Sequence, residues 1–337
     1  MSLYRNLMLL LMLALVSACS TPATKQPDWI NAASRDYPAN AYLLGRGQSD
    51  NRALAQDRAR ADLSKIFQLR VIEESEDTVM FESPDLAAKK AGKTTSSASR
   101  YITTQTDQII AGIRIAELWQ DPVNKQFHAL AVLDRNQAAN DLRQAIQNQD
   151  NATEHEITVA RQQPNLFNQL GHASRAVAIQ ASRYENQRML KIIEPTGLGI
   201  PPVYNLTSLR ADRDNLLQRV HIELQVLNDP LGGVEPILQG ALAKAGFQHS
   251  SNKADYRLET DLQLDGFTDD KGWYWYRGSL QINLLSQPEN QSQGSHRWDI
   301  KVAAQNPDTA AQRARDTIEK TLNAELRNVL IGFGTPQ

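Results

Sequence analysis

The stretch AYLLGRGQSDNRALAQDRARADL, residues 41–63, decides the N-terminal fold. An apolar run closes on Gly45-x-Gly47, a short polar segment follows, and Ala55, Ala59, Leu63 and Ile66 then recur at helical spacing. This order predicts a strand feeding a helix, with Ser49 or Asp50 as its N-cap. Phosphate and dinucleotide sites use the same order of parts. They need a third glycine where this chain has Asp50, and a carboxylate there would repel a pyrophosphate. A P-loop needs Lys followed by Ser or Thr directly after its last glycine, and Gly47 is followed by Gln48. The two glycines are therefore expected to be packing residues that let the helix approach the strand closely.

Upstream lies a leader. Arg5 precedes NLMLLLMLALVSACS, an apolar run too short to span a bilayer, which ends at small residues suited to cleavage. Val16-Ser17-Ala18-Cys19 reads as a bacterial lipobox, and Cys19 is the only cysteine in the chain. One cysteine in an exported protein forms no internal disulfide, so lipidation accounts for both its position and its solitude. More than one acyl chain on that residue anchors a protein without any further apolar element. Ser20 in place of Asp after the cysteine implies export to the outer membrane, and the expected location is lipid-anchored there, facing the periplasm. STPATKQP, residues 20–27, is a flexible tether.

Charge excludes one class of partner. The chain carries 36 Lys+Arg against 38 Asp+Glu, net −2, and loss of Arg5 with the leader moves it further negative. Nothing in that mixed balance resembles the one-sided basic surface that binds nucleic acid. With 337 residues and 41% hydrophobic content, the chain can bury more than one core.

Periodicity predicts an α+β chain of two two-layer α/β domains joined by a long helical segment. In the first, the opening strand and helix are followed by a strand over FQLRVIEESEDTVMF (67–81) and a helix over TTSSASRYITTQTDQII (94–110). A hairpin of GIRIAELW and QFHALAVLD then closes a β-α-β-α-β-β order. Residues 136–194 read as two helices broken near Pro164, the second with a narrow apolar stripe of Leu166, Leu170, Ala173, Val177, Ala181 and Tyr184. EPTGLGIPP breaks the pattern. From there the order is β-α-β-β-β-α: a strand with Val220, Ile222, Leu224 and Val226 inward, a helix over GGVEPILQGALAKAG with Pro236 in its first turn and Gly246 as its stop, three strands and a final helix. That last helix carries a stripe of Ala311, Ala314, Ile318, Leu322, Leu326 and Val329. The expected divisions are a signal peptide at 1–18, a lipidated tether at 19–27, an α/β domain at 28–135, a helical hairpin at 136–194, a linker at 195–202 and an α/β domain at 203–337. RARADLSK (58–65) and RARDTIEK (313–320) echo one another, as either a duplicated unit or two small-residue helices packed alike.

Catalytic and metal patterns are not met. His155-Glu156 opens a zincin-like pair that Val159 and Ala160 leave incomplete, and His128, His221 and His296 fall inside predicted strands. There is no Gly-x-Ser-x-Gly elbow, and the acidic turn DGFTDDKG lacks the spacing of a calcium loop. No cofactor and no enzymatic activity are expected. WYWYRG stands out instead: by alternation Tyr274 and Tyr276 join the apolar face, while Trp273, Trp275 and Arg277 point to the other. Two tryptophans on a polar face mark either a covered surface or an interaction surface.

Pro27, Trp29, Tyr42, Gly45, Gly47, Ala55, Arg58, Ala59 and Ala61 together resemble the opening of the Lpp-twenty type of outer-membrane lipoprotein family, over roughly residues 27–135. The resemblance implies an envelope lipoprotein without established catalysis. The C-terminal half is similar to envelope-assembly lipoprotein domains in element order alone, and fold does not fix function. The expected role is that of a structural or assembly factor contacting envelope proteins, with the alternative of a peptidoglycan-binding adaptor using Trp273, Trp275 and Arg277.

Overall fold

A computed structural model describes residues 26–82, 112–251 and 253–334. The chain divides into two compact units, one running to Ile146 and including Tyr184–Ile200, the other comprising Gln147–Arg183 and Pro201 onward. Its class is α+β, with one antiparallel three-stranded sheet and one mixed five-stranded sheet. Cys19 and the leader lie outside the described residues, as does the helix expected over 94–110.

In the first unit, β1 (Tyr42–Ser49) turns into α1 (Arg52–Glu82). The cap sits one residue later than expected: Asn51 Oδ1 accepts the Leu54 N–H at 3.2 Å, and Ser49 Oγ accepts that of Asn51. Ala55, Ala59 and Leu63 are buried against β1 as their spacing predicts, but Phe67 rather than Ile66 completes the stripe. A Cβ on Gly45 would run into the Ala59 carbonyl and Leu63, and one on Gly47 into the backbone of Ala55 and Ala59. The glycines are contact points between strand and helix.

The strand expected over 67–81 is instead the continuation of α1 to Glu82. Its alternation of Phe67, Leu69 and Val71 competes with a helix already nucleated, to which each further residue adds a bond without a new nucleation cost. Gln, Leu, Arg, Glu and Met in that stretch are good helix formers. The predicted β-α-β-α-β-β order therefore loses its second strand.

The hairpin of β2 (Arg114–Gln120) and β3 (Phe127–Asp134) forms as read, and β3 is the central strand of the order β1-β3-β2. Both faces of β3 are buried. Ala129, Ala131 and Leu133 pack with α1, while Leu130 and Val132 lie under Trp29, whose indole donates to Glu117 Oε2 at 2.6 Å. The helices α2 (Arg135–Gln162) and α3 (Leu166–Ile193) add Leu142, Ile146, Met189, Leu190 and Ile193 to the same core.

Residues 147–162 of α2 and 166–183 of α3 belong to the second unit. The apolar stripe expected along α3 is interrupted there. Leu166, Ala173 and Ala181 are only partly buried, and the buried positions include Phe167, Ala176, Gln180 and Arg183. Gln180 donates to Asp150 and Thr153 of α2 at 3.0 Å, and Arg183 Nε lies 3.2 Å from Asp150 Oδ1. A polar layer thus joins two helices that the apolar pattern alone underdetermines.

A helix that the sequence pattern did not reveal, α4 (Leu206–Arg219), is capped by Asn205 accepting the Ser208 N–H at 2.9 Å. After it come β4 (His221–Asn228), α5 (Val234–Ala245), the short β5 (Gln248–His249), β6 (Tyr256–Thr268), β7 (Tyr274–Ser286), β8 (Ser292–Ala304) and α6 (Pro307–Phe333). The expected β-α-β-β-β-α order is present with α4 and β5 added. The sheet runs β5-β4-β6-β7-β8, with β4 parallel to its neighbours and β6, β7 and β8 an antiparallel meander. Gly246 stops α5 at a φ of 93°, in the left-handed region that favours glycine. Leu238, Leu242, Ile318 and Leu322 share one core with Ile222, Leu258, Leu280 and Ile300 of the sheet. The α6 stripe includes Ala310 and Leu330 where Ala311 and Val329 were expected.

Candidate interaction surface

Strand alternation gives the five-stranded sheet two unlike faces. One packs against α5 and α6. The other presents Phe267 on β6, Trp275 and Arg277 on β7, and Arg297, Asp299 and Lys301 on β8, with Trp273 just ahead of β7. The register sets Trp275 opposite Phe267, and Arg277 between Asp265 and Lys301. Pairing of β6 with β4 ends at Asp261, and beyond it the meander continues as a three-stranded ribbon. Asn228 seals that step, its side-chain amide donating to the Leu262 carbonyl at 2.6 Å.

The ribbon tip is ordered by one carboxylate. Asp269 accepts the backbone N–H groups of Trp273 at 2.9 Å and Lys271 at 3.0 Å, and the Trp275 indole N–H at 2.9 Å. Those hydrogen bonds, that of Trp275 foremost, hold the Asp269 carboxyl below the usual range. The acidic turn is therefore a hairpin turn whose carboxylate is engaged by its own loop. Arg277 lies 5.2 Å from the Trp275 ring and 5.1 Å from that of Phe267, and Lys301 Nζ lies 5.5 Å from Trp275. Two cations thus stand over aromatic rings at cation–π range. Trp273 is 40% exposed and Phe267 38%, so apolar rings and fixed positive charge are offered to solvent together.

Of the residues singled out from sequence, Trp273, Trp275 and Arg277 come together here, while Cys19 lies outside the described residues. Phe267 and Lys301 were missed. Alternation in the β6 sequence places Phe267 on this face, but only the cross-strand register brings it to Trp275. His172 was missed as well: its Nδ1 is 2.7 Å from Glu156 Oε2, and Arg175 approaches both. His128, His221 and His296 lie in β3, β4 and β8 as read. Among the described residues no three His, Cys, Asp or Glu side chains could hold a metal, and no helix is long and apolar enough to cross a membrane.

The first unit has a cleft of about 330 Å³ beside Trp29, Arg46, Asp121, Asn124 and His128. Three of its polar side chains are already engaged. Arg46 donates to the carbonyls of Trp29 and Ala32, while Asp121 and Asn124 accept backbone N–H groups of their own turn.

Residues 27–134 match the model of the LPP20 lipoprotein family. That part of the chain is an LPP20-type domain, and the protein is a lipoprotein of the cell envelope. None of the curated proteins compared with it matches. Among solved structures, a secreted protein of Helicobacter pylori is 14% identical with a TM-score of 0.41, over 85% of this chain and 96% of that one. A minor lipoprotein of Acinetobacter baumannii is 16% identical with a TM-score of 0.26, over 33% of this chain and 91% of that one. Likenesses this distant carry no weight for function.

Proposed function

We propose that the protein is anchored through a lipidated Cys19 in the outer membrane, faces the periplasm, and acts non-catalytically as a structural or assembly factor by contacting other envelope proteins. The observation that supports this reading is the exposed aromatic and cationic cluster at the ribbon tip. Trp and Arg dominate the energetics of protein contacts because each combines a large apolar area with a directional polar group. The ordered Asp269 turn holds the Trp275 ring and the Trp273 backbone in place before a partner arrives, which lowers the ordering cost of association. A glycan strand would stack on open ring faces, whereas Trp275 already has Arg277 and Lys301 over its ring.

Crosslinking of intact cells, with mass spectrometry of the captured neighbours, tests this. Envelope proteins captured by the native chain should be lost with Trp273→Ala or Phe267→Ala. An unchanged neighbour list in both variants refutes the surface. Retention on purified peptidoglycan that the same substitutions abolish would transfer the surface to glycan.

A further inference from the structure

Among the described residues the two sheets have four edge strands, and three of them leave no long run open for pairing with another chain. On β1 the outward N–H of Arg46 is taken by Asp62 at 2.9 Å, and the outward carbonyl of Gln48 by Arg58 at 2.6 Å, both from α1. The seven-residue β2 is broken by a register shift between Ile115 and Glu117. β5 has two residues. The fourth edge, β8, is thirteen residues long; a register shift lies at its start, opposite Leu284 and Leu285, and Arg313 takes the Ala303 carbonyl at its end, which leaves residues 295–301 as its open run.

Its backbone polarity follows from two hydrogen bonds. The Leu262 carbonyl points away from β7 toward Asn228, so the odd-numbered residues of β6 bond to β7, and Arg277 bonds to β6. Lys301, opposite Arg277, therefore turns its N–H and carbonyl to the open edge. Arg313 confirms the phase by donating to the Ala303 carbonyl at 2.6 Å. The position matching Asp62 in the paired motif of α6 is Thr317, whose hydroxyl donates to the Arg313 carbonyl instead. Among the described residues no equivalent of the Asp62 cap therefore reaches Lys301.

We propose that β8 pairs antiparallel with β8 of a second copy of this chain, about a two-fold axis at Trp298, merging two five-stranded sheets into one. Trp298 is the midpoint of both Ser292–Ala304 and the open run 295–301, so this register uses that run in full and keeps its outward backbone groups facing outward groups. It also fixes the charges. Arg297 falls opposite the other copy's Asp299, and the symmetry makes that pair twice, while Lys301 falls opposite Ser295 and meets no like charge. A shift of one pairing step toward an axis at Asp299 would set Arg297 against Lys301, and like charges directly opposite are unfavourable. Within one chain Arg297 and Asp299 are 3.6 Å apart with side chains 64% and 90% exposed, free to exchange partners across an edge. The backbone ladder supplies the affinity and the charges select the register. This pairing does not depend on the contact reading of the ribbon tip.

Light-scattering mass of the mature lipoprotein in detergent tests it, with detergent mass subtracted. The native chain should show twice the protein mass of Asp299→Lys, which sets like charges opposite one another twice. The exchange Arg297→Asp with Asp299→Lys should restore the doubled mass. All these positions are exposed, and circular dichroism should be unchanged throughout. A native chain of single mass overturns the proposal, as does a doubled mass that Asp299→Lys leaves intact or that the exchange fails to recover.

Discussion

The guanidinium of Arg58 reaches back ten residues and donates to the carbonyl of Gln48 at 2.6 Å. Arg313 does the same to Ala303, over the same separation and at the same distance. Around them, Asn51 and Asn306 each accept a backbone N–H three residues on, and Ala55 with Ala59 and Ala310 with Ala314 are fully buried against their strands. The sequence echo is thus a repeated closure in which the helix ties down the last turn of the strand that feeds it. Each bond is exposed, so Arg58→Ala and Arg313→Ala should each lower stability by about 1 kcal/mol. The two residues share no partner, and the double variant should show the sum in chemical denaturation.

Gly47 gives a sharper loss. A methyl there meets the backbone of Ala55 and Ala59, which cannot rotate away as a side chain can. Gly47→Ala should cost about 3 kcal/mol, the upper range for overpacking. Titration calorimetry with ATP or NAD should give no binding heat for either chain.

What could be read in the sequence followed from how local the cause was. The strands β4, β6, β7 and β8 alternate against a single core, so Ile222, Leu280 and Ile282 appear in the residue pattern itself. The error over 67–81 arose where a helix propagates through a stretch with strand-like alternation, and the outcome depends on the residues before it. The helix α4 escaped notice because it buries only Leu217 and shows little periodicity. At the ribbon tip, Trp273, Trp275 and Arg277 could be read from β7 alone. Phe267 and Lys301 depend on register between strands, which alternation does not encode.

The buried pair between α2 and α3 leads to a stability prediction. Arg183 is 2% exposed and lies against Asp150, which also accepts from Gln180. Asp150→Ala leaves a buried guanidinium without its carboxylate, and should cost about 3–5 kcal/mol in denaturant titration. Asp150→Asn keeps an acceptor in place and should cost less.

Acid should loosen the ribbon tip. The Asp269 carboxyl is held below its ordinary value of 3.8 by hydrogen bonds to its ionised form. A depressed folded value means that the ordering it provides is fully present above the ordinary value and is lost as pH falls through the lowered one. The Trp275 indole N–H resonance should therefore shift in that acid range, following loss of its acceptor. Asp269→Asn should remove that titration while leaving the remaining indole signals as they are.

The anchor is the last point of test, because it concerns the role rather than the fold. Lipidation needs the Cys19 thiol for the diacylglycerol and its freed amine for the further acyl chain, and a single chain gives only reversible attachment. Cys19→Ser removes the thiol, so the processed lipoprotein should disappear, leaving unprocessed precursor or soluble chain. Among the described residues no helix can replace the anchor by crossing a membrane. Mass spectrometry of the N-terminal peptide and fractionation of the envelope check both consequences, and the native chain should sediment with outer rather than inner membrane. A Cys19→Ser chain that keeps the native mass shift and membrane distribution would refute the anchor while leaving the ribbon-tip and β8 predictions standing.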